Sequence, residues 1–165
     1  MKEKWKRVAA NFPLAVAGAA LTGAILITTI NALGRYLFSR TFPWADEIVA
    51  ICFAWTVFFG AAAAAAREMH YGLEILSNLL PMKRNKVLEL FISVLSVVMI
   101  GILAWLAWVL TAKVGTKIMT ATRISYRYFD AGMAIGLSLM ELYTVMLLFQ
   151  KARALFVKHG KEKTP

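Results

Sequence analysis

The sequence is poor in the residues on which disulfides, metal sites and many enzyme active sites depend. Its 165 residues include one cysteine and two histidines. Cys52 has no second cysteine with which to form an internal disulfide, and its place inside an apolar run indicates a small packing residue. His70 and His159 both lie beyond the ends of apolar runs, so two histidines of this chain cannot ligate a haem inside a membrane.

Catalytic and nucleotide-binding motifs are missing as well. The sequence has no serine, histidine and aspartate set, no P-loop, and no spacing of cysteines and histidines that is typical of a metal site. These absences predict a protein that is not an enzyme and that binds no cofactor of its own.

Charged residues are absent from four long stretches of the chain. Nineteen uncharged residues separate Glu47 from Arg67, and the other stretches cover residues 8–34, 90–112 and 131–150, the last interrupted by Glu141. Nineteen helical residues, at about 1.5 Å each, span roughly the ~30 Å hydrocarbon core of a bilayer. A soluble domain of this length could not bury a composition that is 60% hydrophobic and 17% charged.

The pattern predicts an all-α membrane protein that forms a single domain over residues 1–165. We expect four transmembrane helices, at about 13–37, 48–66, 89–111 and 131–150. The first apolar run continues for seventeen residues past the small residues at 15–17. That length favours an uncleaved anchor over a cleaved signal peptide.

The distribution of the 19 lysines and arginines predicts the topology. With four helices, both termini and the second loop share one side of the membrane. That side carries thirteen basic residues, whereas the other side carries six. The positive-inside rule then places both termini in the cytoplasm. Because the membrane explains the basic excess, a nucleic-acid partner is not expected.

The two ends of the second apolar run suit two different membrane interfaces. Trp44 suits the outer headgroup belt, and Pro43 starts a helix. In the first turn of that helix, Asp46 and Glu47 meet the positive end of the helix dipole. At the other end, Arg67 suits both the negative end of the dipole and the cytoplasmic leaflet.

A shorter amphipathic segment follows His70. Leucines recur there at helical spacing over about 71–80, a stretch too short to span a membrane. We predict a helix that lies in the cytoplasmic interface and stops at Pro81, with His70 hydrogen-bonded within this elbow.

Small and polar residues inside the predicted spans indicate helix contacts. Small residues around 15–23 and 60–66 lie at the same depth, and we expect the first two helices to pack closely there, although alanine is also a neutral helix filler. Within the fourth helix, Glu141 should not face lipid, because a charged group there costs ~2.5–3.5 kcal/mol. Three possibilities remain open for it: a hydrogen bond to Thr28 or Asn31, a contact with another subunit, or a neutral, protonated carboxyl group.

A cluster of charges marks the outer end of the first two helices. Arg35 lies in the last turn of the first helix, close to the acids Asp46 and Glu47 across the first loop. We expect an ion pair across this loop, and exposure of the same charges to a docking protein is compatible with it.

Residues 35 to 70 carry a more specific signature than membrane-interface physics requires. It consists of RY at 35–36, WADE at 44–47, FAWTVFFGA at 53–61, and His70. This series resembles the small membrane subunit of tripartite ATP-independent periplasmic (TRAP) transporters, the DctQ-like subunits. Four helices with cytoplasmic ends and a chain of about this length agree with that family.

The resemblance implies a complex in the inner membrane of a bacterium or archaeon, surrounded by membrane lipids. In this family a soluble periplasmic protein captures a substrate, usually a carboxylate, and delivers it to a small and a much larger membrane subunit. The large subunit carries the substrate and sodium sites, and the small one braces it. The resemblance therefore implies an accessory subunit of a sodium-coupled carboxylate transporter, without a substrate or metal site of its own.

The third loop adds two candidates for docking the binding protein, Arg123 and Arg127. Together with Lys113 and Lys117 they outnumber the single acid Asp130, and tyrosines and a phenylalanine lie between them. Such a surface suits an acidic partner. A solvated basic loop is the alternative interpretation.

Two other functions remain open. A self-sufficient four-helix transporter or channel, acting as an oligomer, would need its own ionisable pathway, and the spans contain only Glu141. A membrane anchor for a redox enzyme is disfavoured by the positions of the histidines. The candidate interface and structural polar positions are Arg35, Trp44, Asp46, Glu47, Arg67, His70, Arg123, Arg127 and Glu141.

Overall fold

The structure is a computed structural model of the whole chain. It describes the backbone of residues 2–67, 82–115 and 117–161, and the side chains of residues 11–67, 90–115, 117–150 and 152–153. The predicted interfacial helix at 71–80 and the candidate residue His70 lie outside the described residues.

Four long helices make up most of the described chain. They are α1 (Lys2–Phe38), α2 (Pro43–Ala66), α3 (Met82–Lys113) and α4 (Arg127–Lys161). Each contains a stretch long and apolar enough to cross a membrane: Asn11–Phe38, Pro43–Ala66, Leu90–Lys113 and Arg127–Gln150. The prediction of an all-α protein with four membrane-spanning helices is confirmed. The helices extend beyond the uncharged runs, because charged residues are compatible with a helix outside the hydrocarbon core.

The start of α2 is fixed by loop 1, the connection at residues 39–42. Pro43 occupies the first turn, where its missing N–H costs no hydrogen bond. The preceding residue, Phe42, donates its backbone N–H to Asn31 Oδ1 of α1 at 3.0 Å. Ser39 adopts a left-handed backbone conformation with φ of 50°. Loop 1 is therefore a tight turn tied back to α1.

The helices pack in the order α1, α2, α4, α3. Among the described residues, the extensive contacts join α1 to α2, α2 to α4, and α3 to α4. The first and third helices thus occupy the two sides of the arrangement, and both present large exposed apolar side chains such as Ile25 and Ile102. These faces suit lipid or another membrane subunit.

The contact between α1 and α2 includes small residues of α1. Ala17 is buried, and a Cβ built on Gly23 would lie 3.8 Å from Cys52 Sγ of α2. Thr56 donates its hydroxyl to its own helix and weakly to the Ala17 carbonyl, at 3.4 Å. The expected contact between these helices is present, and Ala17 and Gly23 of α1 lie at it.

The contact between α2 and α4 is closer. A Cβ atom built on Gly132 would overlap the Trp55 indole, and one built on Gly136 would lie 2.6 Å from Phe58 Cβ and 2.8 Å from its carbonyl carbon. Gly132 and Gly136 are four residues apart and share one face of α4. They form a G-x-x-x-G pair that lets two helix backbones approach in a membrane. The Trp55 indole N–H also donates to the Tyr128 carbonyl at 2.9 Å.

Candidate functional site

Loop 3, residues 117–126, forms a short hairpin at the same end of the bundle as loop 1. Ile118 and Ser125 pair in an antiparallel bridge, and Met119 N–H donates to the Ile124 carbonyl at 2.8 Å. The Met119 side chain is buried, with 3% of its surface exposed. At the turn, Arg123 has a left-handed backbone with φ of 57°, and its N–H donates to the Met119 carbonyl at 3.1 Å.

The Glu47 carboxylate, in the first turn of α2, holds this hairpin. Its Oε1 accepts hydrogen bonds from the Thr120 hydroxyl at 3.1 Å and the Ala121 N–H at 2.9 Å. Its Oε2 accepts from the N–H and hydroxyl of Thr122, at 2.8 and 2.7 Å. All four donors come from three consecutive residues, so one side chain of α2 ties down the middle of loop 3. Hydrogen bonds to an ionised acceptor are about twice as strong as neutral ones.

The cations of this region remain on the surface. Lys113, Lys117, Arg123 and Arg127 are all exposed. The Arg127 guanidinium lies over Gly115, where a side chain would collide with it. Asp130, by contrast, is buried with 5% of its surface exposed. The exposed face of loop 3 and its flanks is therefore more positive than the sequence count alone suggests.

Aromatic side chains lie among these cations. Tyr126 and Tyr128 are 41% and 61% exposed. The loop leads into α4 through Ser125, whose hydroxyl accepts a 3.3 Å hydrogen bond from the Arg127 N–H. This bond lies at the start of α4, which begins at Arg127, four residues before the uncharged run. Exposed tyrosine beside arginine is a composition that protein interfaces favour.

Arg35 and Asp46 line a groove beside loop 1, with a volume of about 500 Å³. The expected ion pair across loop 1 is not formed: among the described side chains, neither Asp46 nor Glu47 lies within ion-pair distance of Arg35. The reason is that Glu47 turns toward loop 3. Arg35 instead lies 5.9 Å from the centre of the Tyr36 ring.

The remaining candidates of α2, Trp44 and Arg67, lie at its two ends. Trp44 is 41% exposed, and its ring is tilted against Phe42 at 5.9 Å. At the opposite end, Arg67 caps the last turn of α2 with its backbone N–H. The Arg67 side chain reaches Asn11 Oδ1 of α1 at 3.4 Å. Arg67 thus joins the two helices at that end.

Glu141 lies between α4 and α3. A Cβ built on Gly101 of α3 would lie 3.4 Å from Glu141 Oε1. Its Oε2 is buried and has no hydrogen-bond partner among the described residues. The expected bond to Thr28 or Asn31 is wrong, because α4 packs between α2 and α3 and Asn31 binds the Phe42 N–H. The other two possibilities for Glu141, a contact with another subunit and a protonated carboxyl group, stay predictions.

A metal-binding group is not found in the part of the chain that the structure describes, since no three histidine, cysteine, aspartate or glutamate side chains come together there. The polar residues of α4 serve the bundle itself. Ser138, for example, accepts a hydrogen bond from the Trp108 indole at 2.9 Å and donates to the Ala134 carbonyl.

Sequence reasoning missed two features of this site. It did not assign Thr120 and Thr122 to Glu47, because 73 to 75 residues separate the partners. It also passed over Gly132 and Gly136, although their spacing in an apolar run is a recognised signal for close helix packing. That spacing could have placed α4 against a neighbouring helix.

The chain was compared with known protein families and relatives. The family model of the DctQ component of tripartite ATP-independent periplasmic transporters matches residues 24–154. The chain belongs to this DctQ family. The match covers the apolar stretches of α2, α3 and α4 and residues 24–38 of α1, and it includes the Glu47 contact with loop 3.

Two relatives carry consistent names. The chain is 37% identical over 65 residues to the C4-dicarboxylate TRAP transporter small permease protein DctQ of Vibrio cholerae, covering 39% of this chain and 28% of that protein. It is 26% identical over 106 residues to a putative TRAP transporter small permease protein of Haemophilus influenzae, covering 64% of each. The chain therefore aligns with less than two thirds of either relative, and the DctQ family match is the broader one.

Proposed function

We propose that this DctQ-family chain is the accessory subunit of a sodium-coupled transporter that takes up carboxylates delivered by a periplasmic binding protein. It braces a large membrane subunit and helps to dock the binding protein. The Vibrio relative is named for C4-dicarboxylates, which supports small dicarboxylates as the substrate class. Sodium and substrate would bind in the large subunit.

The observation that carries the docking role is the exposed basic surface of loop 3. Lys117, Arg123 and Arg127 are exposed there, while two acids of this region are engaged otherwise: Glu47 binds the hairpin and Asp130 is buried. A positive surface of this kind attracts an acidic partner and speeds encounter in a salt-dependent way. Exposed tyrosines supply contact area in addition to charge.

The topology proposed for this function follows the charge asymmetry of the sequence. Thirteen basic residues on the side of the termini and six on the side of loops 1 and 3 place the loops in the periplasm. The chain then resides in the inner membrane with both termini in the cytoplasm. Loop 3 is accessible to a periplasmic protein in this orientation.

The experiment is an uptake assay in liposomes that contain this chain and the large subunit, with loaded binding protein titrated outside. Replacing Arg123 and Arg127 together by glutamine should raise the half-saturating concentration of binding protein on the order of three- to tenfold, because steering by charge is lost. The maximal rate and the assembled complex should stay unchanged. Arg153→Gln, which removes an exposed cation at the other end of the bundle, is the matched control.

Two outcomes would contradict the proposal. An unchanged titration for the double variant would make loop 3 a connector without a docking role. Uptake by liposomes that contain this chain alone would show a self-sufficient transporter, and the accessory role would then be wrong.

A further inference from the structure

We propose that Glu47 is a positioning residue for docking: by binding residues 120–122 it fixes loop 3 in the conformation that presents Arg123, beside Arg127 at the start of α4, to an acidic partner. This inference rests on the proposed docking role of loop 3. It adds a residue of α2 that lies outside the basic surface and acts on it through the hairpin.

The hairpin needs an anchor because it is small. Its two extended segments are joined by one bridge and a few backbone hydrogen bonds, and such a hairpin is marginally stable in water on its own. Within the described residues, loop 3 is attached to the helices by the buried Met119 side chain and by the Glu47 carboxylate. Packing of the apolar Met119 side chain does not fix the direction of the loop. The carboxylate does, because it holds three consecutive residues through four directed hydrogen bonds.

The position of Arg123 depends on this anchor. Its left-handed backbone, with φ of 57°, is unfavourable for a residue with a side chain and persists only where the surroundings hold it. Glu47 binds both the N–H and the hydroxyl of Thr122, the residue directly before Arg123. Without the carboxylate, the bond from the Arg123 N–H to the Met119 carbonyl still holds this backbone at the turn, and we expect Arg123 to relax toward an ordinary conformation in part of the population. Its side chain would then leave the direction that it has in the structure.

Glu47 and Asp46 are adjacent acids with different surroundings. Asp46 is exposed beside the groove at loop 1, and it makes no hydrogen bond to loop 3 among the described residues. Glu47 is half-buried beneath the hairpin. Substitution of Asp46 is therefore a control for substitution of Glu47. Asp46→Asn and Glu47→Ala each remove one negative charge from the first turn of α2, but only Glu47→Ala removes the contact with loop 3.

The first measurement is hydrogen exchange of the Ala121 and Thr122 amides in the complete membrane complex. Both N–H groups donate to Glu47, so Glu47→Ala should reduce their protection at least roughly tenfold, with a smaller loss for Glu47→Gln, which keeps one acceptor oxygen. Asp46→Asn should leave their exchange unchanged. Unaltered exchange in Glu47→Ala would overturn the proposal, because the carboxylate would then not hold the loop.

The second measurement is uptake against the concentration of loaded binding protein. In Glu47→Ala the docking-competent conformation of loop 3 should become a minor population, and the apparent affinity for the binding protein then falls in proportion to that population. Glu47→Ala should therefore raise the half-saturating concentration of binding protein roughly tenfold at an unchanged maximal rate. Thr122→Val removes one donor from the loop side and should give a smaller shift in the same direction. Thr111→Val is its control, because the Thr111 hydroxyl donates only within α3.

The outcomes separate this inference from the proposed function. A shift for the arginine double variant without one for Glu47→Ala or Thr122→Val would overturn the positioning role and keep the docking role. The absence of a shift in all of these variants would overturn both. If Glu47→Ala prevents assembly of the complex, Thr122→Val decides the question, because it leaves α2 unaltered.

Discussion

The close approach of α2 and α4 at Gly136 can be tested by a single methyl group. A Cβ at Gly136 would lie 2.6 Å from Phe58 Cβ, 2.8 Å from the Phe58 carbonyl carbon and 3.0 Å from its oxygen. Two of these three atoms belong to the backbone, so the contact cannot be relieved by rotating a side chain. Gly136→Ala must therefore push the two helices apart.

The size of the effect follows from a comparison with Gly60. Both glycines lie inside helices, but a Cβ at Gly60 would meet nothing within 4 Å. Alanine is favoured over glycine in a helix by about 1 kcal/mol, and this gain is common to both substitutions. Overpacking typically costs about 1–3 kcal/mol and applies to Gly136 alone. The difference in stability between Gly136→Ala and Gly60→Ala should therefore be about 1–3 kcal/mol.

The assay is thermal unfolding of the isolated subunit in detergent. Gly60→Ala should unfold at or above the wild-type temperature, and Gly136→Ala several degrees below Gly60→Ala. Gly132→Ala should fall between them, because the Trp55 indole can move away, although it then loses its hydrogen bond to the Tyr128 carbonyl. Equal unfolding temperatures for Gly136→Ala and Gly60→Ala would refute the close contact between α2 and α4.

Two further predictions concern Glu141 and the topology. Glu141 Oε2 is buried without a partner among the described residues, which costs about 1–3 kcal/mol. Glu141→Leu should therefore stabilise the isolated subunit but weaken its complex with the large subunit, whereas Glu141→Gln should keep the complex. Thermal shifts and a pull-down of both variants check this, and an intact Glu141→Leu complex together with lost transport in Glu141→Gln would instead indicate a titrating functional group. For the topology, cysteines placed at Arg40 and Thr120 in a Cys52-free variant should react with an impermeant reagent added from the periplasm. Reaction of residue 120 only from the cytoplasmic side would contradict the proposed orientation.

The membrane-spanning helices could be predicted because the bilayer imposes a single strong condition on sequence. A spanning helix must be apolar over roughly 20 residues, and four such runs are visible in the chain. The contact of α1 with α2 was also predictable, since consecutive helices joined by a short loop lie side by side. Loop 1 has only the residues 39–42, so α2 must return alongside α1.

The order of the helices could not be predicted from depth in the membrane. A bond from Glu141 to Thr28 or Asn31 was one of three possibilities because these residues lie within the spans, yet α4 packs between α2 and α3. Which faces approach is decided by shape, here by Gly132 and Gly136 receiving Trp55 and Phe58. Similarly, Glu47 had a nearby cation in the sequence, Arg35, but loop 3 offers its carboxylate four donors in a fixed arrangement.

The second helix connects the parts of the described structure that the proposed function needs. Its Cys52 and Thr56 contact α1, its Trp55 and Phe58 contact α4, and its Glu47 holds loop 3. A conformational change could pass through such an element only if it had two arrangements of similar energy. The backbone contact at Gly136 and the hydrogen bonds of Glu47 each favour a single arrangement. We therefore expect α2 to act as a rigid support, so that a binding protein on loop 3 meets a preformed surface and the movement of transport takes place in the large subunit.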